Sequence, residues 1–168
     1  AQDIPFDSWD ALMHLVIFRF VPVPLTPLMV IRLAQGEGLQ HRWVALDEIS
    51  EHLPQAVIAA EDNRFCDHGG IDWTEFERIW SEYRGSGRLR GASTVSMQTV
   101  KNVYLWPSRS VVRKGIEFAM VPLMELVWDK RRIMEVYLNV VEFGPGVYGA
   151  HAAAQHHGVV EVGCFLGI

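Results

Sequence analysis

Apolar positions in this chain recur every three or four residues over most of the stretch beyond Asp47, the signature of helices that bury one face. Pro54 suits the first turn of a helix running to about Asp62, where its missing N–H is not needed. Asp72 or Thr74 can cap a second helix, "EFERIWSEYR", with Phe76, Ile79, Trp80 and Tyr83 at helical spacing. "GSGRLRG" is a loop by composition. Ser93 or Thr94 then caps a helix to about Leu105, which Trp106-Pro107 stops. Ser110 can cap a long helix through about Trp128, with Val112, Ile116, Ala119, Leu123 and Val127 on one stripe and a kink at Pro122. Asp129 starts another, "KRRIMEVYLNVVEF", closed by Gly144-Pro145-Gly146, and "VYGAHAAAQHH" is the last helical run. With no alternating strand signal and no internal repeat, the predicted fold is mostly α.

The N-terminal pattern is different. "ALMHLVIFRFVPVPLTPLMVI" is apolar but broken by His14 and Arg19 and then by Pro22, Pro24 and Pro27. A bilayer span needs ~20 consecutive apolar residues, so this does not read as an intact transmembrane helix. It also lacks the basic start and small-residue cleavage site of a signal peptide. An apolar, proline-stiffened arm remains, to lie on a membrane surface or pack on the domain.

Composition changes this picture in one respect. The 168 residues, 49% apolar and 21% charged, suffice for one globular core, and the net charge of -5 argues against nucleic acid as a partner. From Arg84 to Arg132, however, ten Lys or Arg face three acids, a net of +7, which points to an anionic partner for that part alone. Cys66 and Cys164 are too few for a disulfide framework and read as free thiols. His151 and His156 are five apart, off the spacing that puts two imidazoles on one helix face, so they and His157 do not read as a zinc site.

Three short stretches carry candidate chemistry. In "EDNRFCDHGG", Glu61 ends an apolar helix, an environment that raises a carboxyl pKa and suits it to proton transfer; an ordinary helix reaching the surface would look the same. In "GASTVSMQTVKN", Thr94, Gln98 and Lys101 share one polar face with Asn102 beside it, behind a hydroxyl-rich start at Ser93 that can hold a phosphate. In "RKGIE", Arg113 and Glu117 can pair at i, i+4 while Lys114 projects as a point charge; alone this is a common surface ion pair worth ~0.3–0.5 kcal/mol.

In order and spacing, "EDNRFCDHGG", "GASTVSMQTVKN", "RKGIE", "KRRIMEVYLN" and "GVYGAHAAA" resemble the five signature motifs of the family 51 glycosyltransferases. These are the peptidoglycan polymerases found alone or fused to penicillin-binding domains. "NVYLWPSRSVVRKGIE" and "LNVVEFGPGVYG" are similar to the monofunctional biosynthetic transglycosylases of Gram-negative bacteria, and the resemblance covers about Phe20 to Gly158. It implies a lysozyme-like, mostly α fold that polymerises lipid II into a β-1,4 glycan.

It also implies residue roles. Glu61 is the catalytic base, with Asp62, Phe65 and His68 as motif companions. Ser93, Thr94, Gln98, Lys101 and Asn102 bind substrate. Arg113 and Lys114 meet the pyrophosphate with Lys101, and Glu117, the second catalytic glutamate, either orients Arg113 or holds a divalent cation, Mg or Mn. Two departures stand out: the usual double glutamine is Met97-Gln98, and the usual threonine before it is Ser96. The lost amide donor is expected to affect affinity more than chemistry.

The implied partners are lipid II, the growing glycan, the membrane surface and other cell-wall synthesis proteins; the implied place is the inner membrane, facing the periplasm. The expected organisation is a membrane-proximal arm and connection over 1–40, a catalytic domain over 41–158 lacking the family's C-terminal helices, and an atypical tail over 159–168. Two other classes fit the same residues. One is a lysozyme-like muramidase or lytic transglycosylase, the other an inactive membrane-associated binding fragment.

Overall fold

The structure, a computed structural model, describes residues 8–86, 91, 93–108 and 110–158. Arg88, Arg90 and Arg109 of the basic stretch, residues 87–90 of the expected loop, and the tail 159–168 with Cys164 lie outside them. Eight helices are described: α1 (Ser8–Phe18), α2 (Pro27–Ala34), α3 (His52–Glu61), α4 (Trp73–Ser86), α5 (Val95–Tyr104), α6 (Val111–Val127), α7 (Lys130–Val140) and α8 (Gly149–His156). The fold is mostly helical, as expected.

Local chemistry starts these helices where the sequence predicted. The Thr94 hydroxyl accepts from Met97 N at 3.1 Å, Ser110 from Arg113 N at 3.1 Å, and the Asp129 carboxylate from Arg132 N at 2.8 Å, each satisfying a first-turn amide. Asp72, rather than Thr74, caps α4 by accepting from Glu75 N at 3.0 Å. α5 is the central helix, packed between α6 and α7; Val95, Met97, Val100 and Val103 are buried there against Ile133, Val136, Leu138 and Val140 of α7.

Two expectations are corrected. First, the stripe expected to bury α6 faces outward: Val112 is 71% exposed and Leu123 43%, while Glu117, Val121 and Met124 are buried instead. The inward face contains a carboxylate, so its periodicity is interrupted by the residue that the site requires. Second, a small sheet escaped the pattern. Strands β1 (Gln40–His41), β2 (Glu142–Gly144) and β3 (Val147–Tyr148) run in the order β1-β3-β2, with β1 parallel and β2 antiparallel to β3. Two or three residues are too few for alternation to show. Consequently α7 ends at Val140, short of the Gly144-Pro145-Gly146 turn.

Of the two places open to the arm, a membrane surface or the domain, the structure shows packing on the domain. Leu15, Val23 and Met29 are buried in the same core as α5 and α7. Trp128 Nε1 donates to Leu15 O at 2.7 Å, and Arg132 donates to Phe18 O and Val21 O, so the exit of α6 and the first turn of α7 hold the arm's backbone. Its outer face stays apolar and open, with Met13, Val16 and Phe20 at 61%, 51% and 74% exposure. Among the described residues no helix is long and apolar enough to cross a membrane.

One buried side chain ties the loop after β1 to the core. Asn139 accepts from Val44 N at 2.9 Å and donates through Nδ2 to Val44 O at 2.9 Å and to Glu135 O at 2.8 Å. Asn139→Ala strands both polar groups of Val44 in the interior, so chemical denaturation is expected to show a loss of about 2–4 kcal/mol.

Candidate active site

The first motif folds as a knot that joins α3 to α5. Asp62 is 7% exposed; its Oδ2 accepts from Val95 N at 3.0 Å, and its Oδ1 meets His68 Nε2 at 2.9 Å. Gly70 N donates to His68 Nδ1 at 3.0 Å, so the imidazole proton lies on Nε2, facing Asp62. Thr94 completes the ring by donating to Gly70 O at 2.6 Å. Gly70 has φ +93°, and a Cβ there would clash with Val121 Cγ1 on α6, so both conformation and packing require glycine. Gly70→Ala is expected to destabilise the chain by about 2 kcal/mol or more and lower its thermal midpoint.

Asp62, His68 and Asp72 bring ligand-type atoms within 4.8 Å of one another. They do not fit a divalent cation as arranged. Both Asp62 oxygens and both His68 nitrogens already have partners, and Asp72 Oδ1 takes Glu75 N and, at 3.3 Å, Arg64 Nη1. Phe65 is likewise internal, 2% exposed with Lys130 Nζ 4.5 Å above its ring. Asp62, Phe65, His68 and Thr94 therefore engage protein partners.

Glu61 is set apart from them. It ends α3, which has no buried residue, and its carboxylate is exposed rather than enclosed by apolar surface as the sequence suggested. It lines an open cleft of about 540 Å³ with Asn63, Arg64, Ser93 and Thr94. Gln98 Nε2 donates to Glu61 Oε2 at 2.8 Å, and Tyr137 OH donates to Gln98 Oε1 at 3.4 Å. Tyr137, which sequence reasoning missed, thus fixes which end of the amide faces the carboxylate. Burial first, and the Glu61 charge second, push its phenol up to about 12. Met97 is 1% exposed, so the departure from the double glutamine fills the core; Ser96, fully buried, donates to Glu125.

The third motif is buried where a surface ion pair was the plain alternative. Glu117 is 2% exposed on the inward face of α6; its Oε2 accepts from Arg113 Nη1 at 2.7 Å and its Oε1 from Lys114 Nζ. Arg113 Nε also donates to Ser108 O at 2.6 Å, and Lys114 Nζ to Ser93 Oγ at 3.1 Å. With both oxygens occupied by cations, Glu117 fits an orienting role and does not fit as a metal ligand in this arrangement.

Lys101 stands beside this group, half-buried and without a hydrogen bond or ion pair among the described residues. Burial lowers its pKa; the charge of Glu117 raises it, Arg113 and Lys114 lower it, and Glu61 raises it. The second and third motifs thus meet in one electrostatic neighbourhood that also feels Glu61. Lys101, Asn102 and Arg113 line a second cleft, of about 570 Å³. Three cations against one buried carboxylate can hold an anion, and the exposed carboxylate can take a proton.

Residues 29–160 match the protein family described as Transglycosylase. The chain is 57% identical over 143 residues to a biosynthetic peptidoglycan transglycosylase of Rhodospirillum centenum, which covers 84% of this chain and 62% of that protein. It is 53% identical over 153 residues to one of Bacteroides thetaiotaomicron, covering 88% and 62% respectively. With one of Caulobacter vibrioides the identity is 51% over 142 residues, covering 84% and 62%. The chain thus spans 62% of the length of these relatives.

Proposed function

Because this chain belongs to the transglycosylase family, we propose that it polymerises lipid II, extending a peptidoglycan glycan by inverting transfer with release of the lipid pyrophosphate. The observation that carries this reading is Lys101, a half-buried cation unpaired among the described residues and next to Arg113 and Lys114. Such a site is incomplete without an anion.

Glu61 takes the proton from the acceptor sugar's 4-hydroxyl as that oxygen attacks C1 of the donor. The C1–O bond to the pyrophosphate breaks on the opposite side, turning an α-linked donor into a β-1,4 link. Lys101, Arg113 and Lys114 stabilise the charge that grows on the leaving group, and Glu117 holds the guanidinium and the ammonium in place. No second carboxylic acid is needed, because a neutralised pyrophosphate is a good leaving group. A muramidase would need one to protonate a sugar oxygen, and Asp62 and Asp72 beside Glu61 are already engaged. The open apolar face of α1 supports contact with the outer surface of the inner membrane, where lipid II would be met.

Incubating the chain with labelled lipid II in detergent and resolving the products by gel tests the reading. Polymer is expected, and its absence from a folded chain would refute the activity for this chain. The cation site is tested separately with inorganic pyrophosphate. Lys101→Ala is expected to weaken binding by roughly tenfold or more. Because burial lowers its pKa, Lys101 loses its charge below pH 10.5, where an ordinary lysine would keep it. Affinity should therefore fall early on the alkaline side, and Lys101→Arg should retain it to higher pH.

A further inference from the structure

Glu61 owes its aim to other elements. It ends α3, a helix without a buried residue that rests on the core through the half-buried Leu53, Val57 and Ile58. Asp62, the next residue, fixes the backbone at Val95 and His68, but the Glu61 side chain still has several rotatable bonds in an open cleft. Among the described residues, the one hydrogen bond to its carboxylate comes from Gln98 Nε2 at 2.8 Å. A base works only when the proton it takes is within hydrogen-bond reach, so whatever holds Gln98 also aims Glu61.

Gln98 does not hold itself. The oxygen and the NH2 of its amide are alike in shape, and a half-turn about the last side-chain bond would set Oε1 against the carboxylate, oxygen facing oxygen. The far end of the amide meets a rigid partner. Tyr137 OH donates to Gln98 Oε1 at 3.4 Å from α7, where Ile133, Met134, Val136, Leu138 and Val140 are buried with it. The phenol is 5% exposed and lines neither cleft, so it acts on Gln98 and not on a substrate. Its raised pKa, from burial and then from the Glu61 charge, keeps the proton on the hydroxyl at neutral pH and makes it a standing donor. At this length the bond supplies a bias of orientation and not a lock.

We infer that Tyr137 is a positioning residue for the transfer: its hydroxyl orients the Gln98 amide, and the amide in turn orients the Glu61 carboxylate that takes the acceptor's proton. The inference rests on the proposed function for what Glu61 does, and on the Tyr137–Gln98–Glu61 contacts for how it is held.

The test removes the hydroxyl and keeps the ring. Tyr137→Phe is expected to lower kcat for polymerisation of labelled lipid II about fivefold, with KM within about twofold and the melting curve in place, as one net hydrogen bond would. In a Gln98→Ala background the same substitution should change kcat by less than about twofold, because the hydroxyl then has no amide to orient. A parental kcat in Tyr137→Phe overturns the inference, and so does a loss that persists undiminished without Gln98. A second arm needs no substrate. In the isotope-labelled chain followed by NMR, the Gln98 side-chain NH2 signals are expected to lie apart from those of solvent-exposed glutamines and to move toward them in Tyr137→Phe. Signals that stay in place overturn the inference whether or not polymer forms. Signals that move, in a chain whose parent makes no polymer, sustain the hold of Tyr137 on Gln98 and remove the transferase reading.

Discussion

Glu61→Gln is expected to lower the initial rate of polymerisation from labelled lipid II by at least a hundredfold while leaving the melting curve in place. A positioned general base contributes roughly 10²–10⁴-fold, and an amide cannot take the acceptor's proton. The substitution keeps the side chain's shape, and an amide oxygen can still accept from Gln98 Nε2, as the carboxylate does at 2.8 Å. Glu61 is exposed, so its stability cost should stay within about 0.5 kcal/mol. Near-parental turnover in this variant would remove Glu61 from the chemistry.

Glu117→Ala has a different signature. Glu117 is 2% exposed and is the partner of both Arg113, 12% exposed, and Lys114, 35% exposed. Its loss leaves two cations close together with their common counter-charge gone. Breaking such a buried arrangement costs about 3–5 kcal/mol, which urea unfolding would register; Lys114's partial exposure favours the lower figure. The pyrophosphate affinity then separates two accounts. If bulk charge held the anion, removing a carboxylate would tighten binding. If Glu117 acts by fixing the Arg113 fork, binding should weaken by roughly tenfold despite the added positive charge. Tighter binding would refute the orienting role.

Tyr137 and Asn139 show how partner identity escapes a sequence pattern. Both sit in "KRRIMEVYLN", where the sequence predicts a helix, but nothing local says that one meets Gln98 and the other Val44. These contacts join residues 39 and 95 positions apart. The same limit applies to the second motif. Helical spacing puts Thr94, Gln98 and Lys101 on one polar face with Asn102 beside it, yet Thr94 is turned inward to Gly70 while Gln98 reaches Glu61.

What the sequence by itself determined is therefore what short-range chemistry controls. Helix starts at Ser110 and Asp129, and to within two residues those at Asp72 and Thr94, follow from side chains that accept from amides three residues on, and the order of the motifs follows from the chain alone. Only the tertiary structure decided which face of α6 is buried, because that helix has apolar residues on both sides and the inward one contains Glu117. It likewise decided that Asp62, Phe65 and His68 hold the frame while Glu61 stays open. Burial and pairing are properties of the space between elements, and one helix's periodicity does not contain the neighbour that fills it.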